Sequence, residues 1–554
     1  MRIFRHCIFT WFCLAGFGSA AAAQGVPDRI EVEPSVVRLA GAEGRQQIAI
    51  TGRFTDGSCR DLTAEAHLAV EPAEVAMVSP SGVVTPIGNG QAVLRVTALG
   101  RDAEVPVHVV DSARRSRPVS YRLDVSAVLS KAGCNMGTCH GNLNGKGGLK
   151  LSLRGEDPGF DLDMLVRHSF GRRIDRNDPD QSLLLKKATG RVPHEGGLRF
   201  PAHSPEADTL RAWIAAGPVD DKATAPKLVG LTVWPPERMI AAPGLSQQLV
   251  VTARFADGSR RDVTRQASYE MNEPLKASLT PDGHLKVNRP TEIVVAARYL
   301  NQRGVSRLAV LADRPDFVWR GPEPKNVIDR HVFAKLKALR VNPSPETTDA
   351  AFLRRAYLDA LGVLPTADEA RTFLADSDAG KRGKLVDRLL ERPEFADFWA
   401  LKWADLLRVE ERTMGLKGVW GFQRWLRDQI TRDVPLDVFA GKLISSTGST
   451  YANPPASFHR TNRDPMTAAE AVGQVFLGYR LQCARCHNHP FDDWTQDDYY
   501  GLAAYFGNVR RKDTASTIHI RFDVHGRDGD EIVYLASSAL PRIVQPRSGA
   551  LLSP

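Results

Sequence analysis

The chain has 554 residues, 43% hydrophobic and 25% charged. That composition excludes a wholly disordered protein, and the length exceeds one core, so about three to five domains are expected. The formal charge of +9 is a mild excess without a Lys/Arg block, so no nucleic-acid partner is expected.

Residues 1–23 read as a secretory signal peptide. Arg2 and Arg5 precede an apolar run from Cys7 to Phe17, and Ala20 to Ala23 offer a cleavage site. The apolar run is about half the length of a membrane-spanning helix, near 20 residues, and a retained anchor is the alternative. Cleavage removes Cys7 and Cys13 of the seven cysteines. Five thiols in an exported chain of this length do not make a disulfide scaffold.

The chain then repeats itself. Arg53-Phe-Thr-Asp-Gly-Ser-Cys-Arg-Asp-Leu-Thr63 returns as Arg254-Phe-Ala-Asp-Gly-Ser-Arg-Arg-Asp-Val-Thr264, an offset of 201, which Pro34/Pro235 and Gly82/Gly283 share. Alternating runs such as Ala92–Val96 and Glu292–Ala296 flank hairpin signals at Asp56-Gly57 and Asp257-Gly258. Residues 26–111 and 227–312 are therefore expected to be two β-sandwich domains. Arg260 stands where Cys59 stands in the first copy, so the fold requires no thiol there.

Between the copies, residues 118–220 are glycine-rich and helical. A short helical run, Leu123 to Lys131, leads into Cys134-Asn-Met-Gly-Thr-Cys139-His140. Ser204-Pro205 starts a second helix whose apolar face is Leu210, Trp213 and Ile214. Two thiols followed at once by histidine suit a covalently attached c-type haem, with His140 as proximal ligand, although this run carries two extra residues between its cysteines. His194, in the loop Val192-Pro193-His194, is the expected distal ligand, with Met164, His168 and His203 behind it. Two histidines give a lower potential than a His/Met pair. A Cys134–Cys139 disulfide and a small metal site are the alternatives.

Residues 322–510 are expected to be mainly helical, with Ile328, Val332, Lys335, Leu336 and Leu339 on one face. The aromatic stretches Phe395–Trp403 and Trp420–Trp425 read as core packing. Thr467 and Glu470 suggest a capping box opening a helix that runs into Cys483-Ala-Arg-Cys486-His487. That C-x-x-C-H run is the haem-attachment spacing. Its distal ligand has no spacing argument; His331, His459 and Met466 are candidates. Zinc bound by Cys483, Cys486, His487 and His489 is one alternative, and a dithiol or disulfide is another. Thr495 opens a further helix. Residues 511–554 turn strand-like and are expected to begin a further, truncated domain.

The order of parts resembles the large exported cytochrome proteins of planctomycete bacteria. The first repeats resemble bacterial immunoglobulin-like domains through F-x-D-G-S-x-R-D-V/L-T. The cytochrome part resembles the family through Cys134–Gly141, Ser182-Leu-Leu-Leu-Lys-Lys187 and Leu210–Gly217. A region of unknown function resembles it through Ile328–His331, Leu364-Pro-Thr366, Lys384–Leu390 and Cys483–Asp492. The resemblance implies haem and an envelope location, but no substrate. The family's distal loop has Met-Pro-Pro where this chain has Val192-Pro193-His194, which favours histidine.

The expected fold is thus multidomain: two immunoglobulin-like β-sandwiches, a small all-α cytochrome c-like domain and a mainly helical C-terminal region. The expected function is electron transfer in the periplasm or outside the cell, with one or two covalent haems on Cys134/Cys139/His140 and Cys483/Cys486/His487. An electron carrier fits better than a hydrolase, and the redox partner is unknown. The sandwiches are expected to serve as spacers or as contacts to polysaccharide or the envelope surface. A haem-dependent peroxidase, or a surface-binding protein with structural metal, is the alternative.

Overall fold

A computed structural model describes residues 26–55, 58–115, 117–142, 144–240, 245–312, 314, 316–489, 492, 494–514, 529–546 and 548–554. The expected leader, the Asp56-Gly57 turn and Asp493 lie outside the described residues. The chain forms two compact units, Met1–Pro343 and Ser344–Pro554. No described helix is long and apolar enough to cross a membrane.

In the first unit both sequence repeats build the same three small sheets. The first copy pairs Arg29–Glu33 with Ala49–Arg53 and Cys59–Asp61. It pairs Val37–Ala40 with Arg101–Val110, Gly90–Ala98 and His67–Glu71, and Gln46–Gln47 with Val83–Pro86 and Ala76–Val78. The second copy pairs Leu228–Trp234, Val250–Phe255 and Arg260–Asp262 in the same order. Its other sheets run Glu237–Ile240, Gln302–Val310, Thr291–Tyr299, Ser268–Met271, and Ser246–Gln248, His284–Val287, Ala277–Leu279. Alternation delivers every second side chain inward, so Leu94 and Val96 bury in one copy and Ile293, Val295 and Ala297 in the other. Gly258, at φ +82°, makes the tight turn between Val250–Phe255 and Arg260–Asp262. The peptide bonds before Pro34 and Pro235 are both cis.

The repeated R-D-L/V-T run explains itself in three dimensions. Asp61 accepts from the backbone N–H of Thr63 at 2.9 Å, and Asp262 from that of Thr264 at 2.8 Å. Each threonine hydroxyl also donates to its aspartate and accepts a backbone N–H, from Ile50 or Val251. The second carboxylate oxygen of each aspartate reaches into the other copy. Asp61 takes the N–H of Gln248 and Asp262 takes the N–H of Gln47. Gln47 and Gln248 are themselves related by the 201-residue offset, so the contact is self-complementary, as across a two-fold axis. Burial raises both carboxyls above the usual range, against hydrogen bonds that favour the charged form. A single bridge, Ile240 to Cys59, also joins the two copies' edges.

The segment between the copies is helical. A wide turn, Tyr121–Val125, runs into α1 (Ser126–Lys131), followed by α2 (Pro158–Val166), α3 (Leu183–Ala188) and α4 (Pro205–Ala216). Ser204 caps α4 by accepting from Ala207, with Pro205 in the first turn. One face of the first turns, Tyr121, Val125, Val128 and Leu129, packs against Leu210, Trp213 and Ile214 of α4. The other face, Leu123 and Ala127, belongs to the core of the second repeat, and the Tyr299 hydroxyl donates to the Leu123 carbonyl at 2.9 Å. The segment is therefore seated on the second repeat. Still in the first unit is α5 (Val327–Ala338), held by Lys335 to Glu292 at 2.8 Å. Of its expected apolar face, Ile328 and Val332 are exposed, whereas Leu336 and Leu339 are half-buried.

The second unit holds α6 (Asp349–Leu361), α7 (Ala367–Ala375), α8 (Lys381–Leu390), α9 (Pro393–Leu406), α10 (Glu411–Thr431) and α11 (Leu436–Ser445). Then come α12 (Phe458–Thr461), α13 (Pro465–Val475) and α14 (Gln496–Ala504). A three-stranded sheet follows from Gly448–Ser449, Glu531–Leu535 and Val509–Asp513. Phe422, Trp425 and Phe439 pack together in the core, as aromatics usually do. On α9 the buried stripe is Ala396, Ala400 and Ala404 at i, i+4 and i+8, whereas Trp399 and Leu401 stay exposed. Trp420 is also exposed, so part of each aromatic stretch lies outside the core.

Truncating Asp262 leaves the N–H groups of Gln47 and Thr264 without their acceptor. Asp262→Ala is expected to destabilise the first unit by about 3 kcal/mol, read as an earlier urea transition of the full chain. A loss under about 1 kcal/mol would contradict the interlock.

Candidate functional site

The first cysteine loop closes on itself. Gly133 leaves α1 with φ +74°, and Cys134 N–H returns to Leu129 O at 2.9 Å. His140 N–H donates to Cys134 O at 3.0 Å, and Gly141 N–H to Met136 O at 3.0 Å. A Cβ at Gly141 would lie 2.1 Å from Asn135 O, so only glycine fits beneath the loop. Cys134 and Cys139 are both part-buried, and burial pushes the Cys134 thiol up to about 11. None of the five described cysteines forms a disulfide.

His140 presents one nitrogen to the backbone. Its Nδ1 lies 3.1 Å from both Lys146 O and Leu149 O, which makes Nδ1 the protonated nitrogen and leaves the Nε2 lone pair free. Burial lowers its pKa, favouring neutral imidazole, the metal-binding form. His194 is arranged the same way, with Nδ1 2.9 Å from Gly197 O. Among the described residues it is the ring of His194 that faces His140: their centres lie 6.2 Å apart with planes 12° from parallel. Two imidazoles bonded to one metal through Nε2, each at about 2 Å, place their ring centres about 6 Å apart. The separation of the two ring centres matches that spacing.

The loop carrying His194 is pinned from three sides. Lys187 Nζ donates to Pro193 O, Lys146 pairs with Glu195 at 3.1 Å, and Arg199 Nη1 donates to Gly196 O at 3.0 Å. A Cβ at Gly196 would lie 2.9 Å from His194 Cε1, so a side chain there would push the ring aside. His168 turns its Nδ1 to the Ser169 hydroxyl at 2.9 Å. Met164, on α2, offers its carbonyl to Arg173.

The second motif is built differently. Asp464 caps α13 by accepting from Thr467, with Pro465 in the first turn, so the expected Thr467/Glu470 box is displaced by one turn-starting Asp-Pro pair. Nor does α13 reach Cys483. It ends at Val475, and Gly478 at φ +74° redirects the chain. Cys483 lies in a short 3₁₀ turn, Gln482–Arg485, and Cys483 and Cys486 are exposed. The predicted helix after the motif is present as α14, with a Thr495/Asp498 capping box.

Around this turn, Gln496 donates to Arg485 O at 3.2 Å and the Tyr500 hydroxyl to the same carbonyl at 3.1 Å. The Tyr499 hydroxyl donates to Glu470 at 2.6 Å. His487 Nδ1 lies 2.7 Å from Asn488 O, again leaving Nε2. His489 is spent on the loop: its Nδ1 accepts the Asp492 N–H at 2.9 Å. Among the described residues no three His, Cys, Asp or Glu side chains converge as a metal-holding group. His459 is a core histidine, its Nε2 donating to Ile444 O at 3.0 Å and its ring against Phe458 and Phe506. Met466 packs with Leu481, Ala484 and Tyr499 beside the motif. His331 lies on α5, in the first unit.

Sequence reasoning missed Arg199, whose partner Ala132 lies 67 residues away, and the pairing of Glu470 with Tyr499, which spans 29 residues.

Residues 327–511 match the model of the PSCyt2 family, described as "Protein of unknown function (DUF1549)". No curated protein matches. Among solved structures, domains 5–6 of the S-layer protein SbsC are 12% identical, cover 52% of this chain and 98% of theirs, and give a TM-score of 0.22. Domains 4–9 of SbsC are 10% identical, cover 53% and 34%, and also give 0.22.

Burial lowers the His459 pKa to about 4. The ring is thus neutral in the folded unit and charges more readily once unfolded, near 6.5. Stability is full above pH 6.5 and falls as pH drops from there to about 4. His459→Gln should flatten that dependence in pH-resolved urea unfolding; an unchanged slope would contradict the assignment.

Proposed function

We propose that this chain is an exported c-type cytochrome that passes single electrons in the cell envelope. The observation that carries the reading is the His140–His194 pair, with both Nδ1 atoms occupied by carbonyls and the rings parallel beside Cys134 and Cys139. In this reading residues 118–220 are the cytochrome c-like domain and the β repeats are immunoglobulin-like spacers or envelope contacts. Cys483, Cys486 and His487 would hold a second haem, in the region that matches the PSCyt2 model. Haem bound at these sites supplies a one-electron iron couple.

The chain's own residues do the rest. Cys134 and Cys139 would hold the haem through thioether sulfurs and His140 and His194 would bind it through Nε2, while the carbonyls of Leu149 and Gly197 fix the tautomers. Cys134 and Leu149 pack against the helical core formed by Tyr121, Leu129, Leu185 and Trp213. A closed pair of strong ligands favours electron transfer over substrate binding at the first site. The second site supports another reading. The His489 Nδ1 accepts the Asp492 N–H, and an iron with one open face is what a haem peroxidase needs.

Expressed in a host that matures c-type cytochromes, the protein should carry two covalent haems by intact mass and pyridine haemochrome. Cys134→Ser/Cys139→Ser should leave one, and Cys483→Ser/Cys486→Ser the other. A colourless chain with four free or zinc-bound thiols would overturn the proposal.

A further inference from the structure

We infer that Arg199 is the positioning residue that sets the separation of the His140 and His194 rings, an inference that rests on the haem reading above. Its guanidinium joins the two loops that carry them. Nε donates to Ala132 O at 2.8 Å, Nη2 donates to the same oxygen, and Nη1 donates to Gly196 O at 3.0 Å. Ala132 lies two residues before Cys134, and Gly196 two residues after His194.

The chemistry requires arginine. Ala132 O lies at the C-terminal end of α1, where carbonyls lack helical partners and a cation is favoured. A planar fork can serve that oxygen with two N–H groups and still reach a second carbonyl with the other arm, whereas a lysine ammonium is a point donor. Arg199 is also fixed along the chain, its own N–H donating to Ala188 O at the end of α3 at 2.8 Å. Gly133 makes room for it: a Cβ there would lie 3.0 Å from Nη2 and at an unfavourable φ of +74°. The other ties to the His194 loop are exposed. Lys146–Glu195 lies at the surface, where ion pairs contribute little. Arg199 is the part-buried one.

The test uses the full chain carrying Cys483→Ser and Cys486→Ser, so that one haem reports. Arg199→Ala should keep the covalent haem but release His194 part of the time. A high-spin fraction should then appear in the visible and electron paramagnetic resonance spectra. Cyanide should bind at least about tenfold faster, the effect of losing one hydrogen bond from a charged donor. Arg199→Lys keeps one contact and should give an intermediate rate. Should the alanine variant fail to fold, the lysine variant alone decides. Unchanged spin state and cyanide rate, even with a lower melting temperature, would reduce Arg199 to a purely structural role. A parent chain that carries no haem would instead overturn the underlying reading.

Discussion

An imidazole has two nitrogens, and in both His140 and His194 one of them is held by a backbone carbonyl. That constraint decides tautomer, ring orientation and the direction in which the remaining lone pair points. It is also what makes a separation of 6.2 Å between near-parallel rings meaningful. Two histidines free to rotate would occupy the same space without defining an axis. The carbonyls doing the holding belong to loops without regular structure, so everything that steadies those loops bears on the site.

Steadying comes in layers. The cysteine loop leaves α1 through Gly133, and α1 shares its two faces between the helical segment's own core and that of the second β repeat. The second repeat is in turn locked to the first by the exchange of Asp61 and Asp262 onto Gln248 and Gln47. Leu123 and Ala127 thus connect the segment that carries the cysteine loop to a paired β frame through direct packing. A self-complementary contact of this kind needs no loop of its own, because the same repeated residues supply both halves.

Much of this was legible in the chain. The repeats announce themselves through period-two burial and a turn-forming D-G pair, both local properties. His194 stood out because Val192-Pro193-His194 takes the place of Met-Pro-Pro in the proteins this chain resembles. The Asp–Gln exchange was not legible, since its partners lie near 200 residues apart and depend on how two domains meet. Arg199 was hidden for a similar reason: one arginine among 73 basic residues carries no pattern until its loops are folded. Thr467 misled because Asp464 followed by Pro465 is the stronger helix start. The aromatics of α9 misled in part because the face of the helix that is buried is the small one, Ala396, Ala400 and Ala404.

The second motif has the spacing for haem but a more open setting, with exposed thiols and His489 committed to its own loop. In the proposed reading the two sites would differ in the property that separates electron carriers from oxygen or peroxide chemistry, the occupancy of the iron's second face. The most direct measurement is near-infrared magnetic circular dichroism of the oxidised chain with only the Cys134/Cys139 site intact. The account predicts the charge-transfer band of bis-histidine ligation, lost in His194→Ala. A histidine–methionine band, or one unchanged by that substitution, would contradict it.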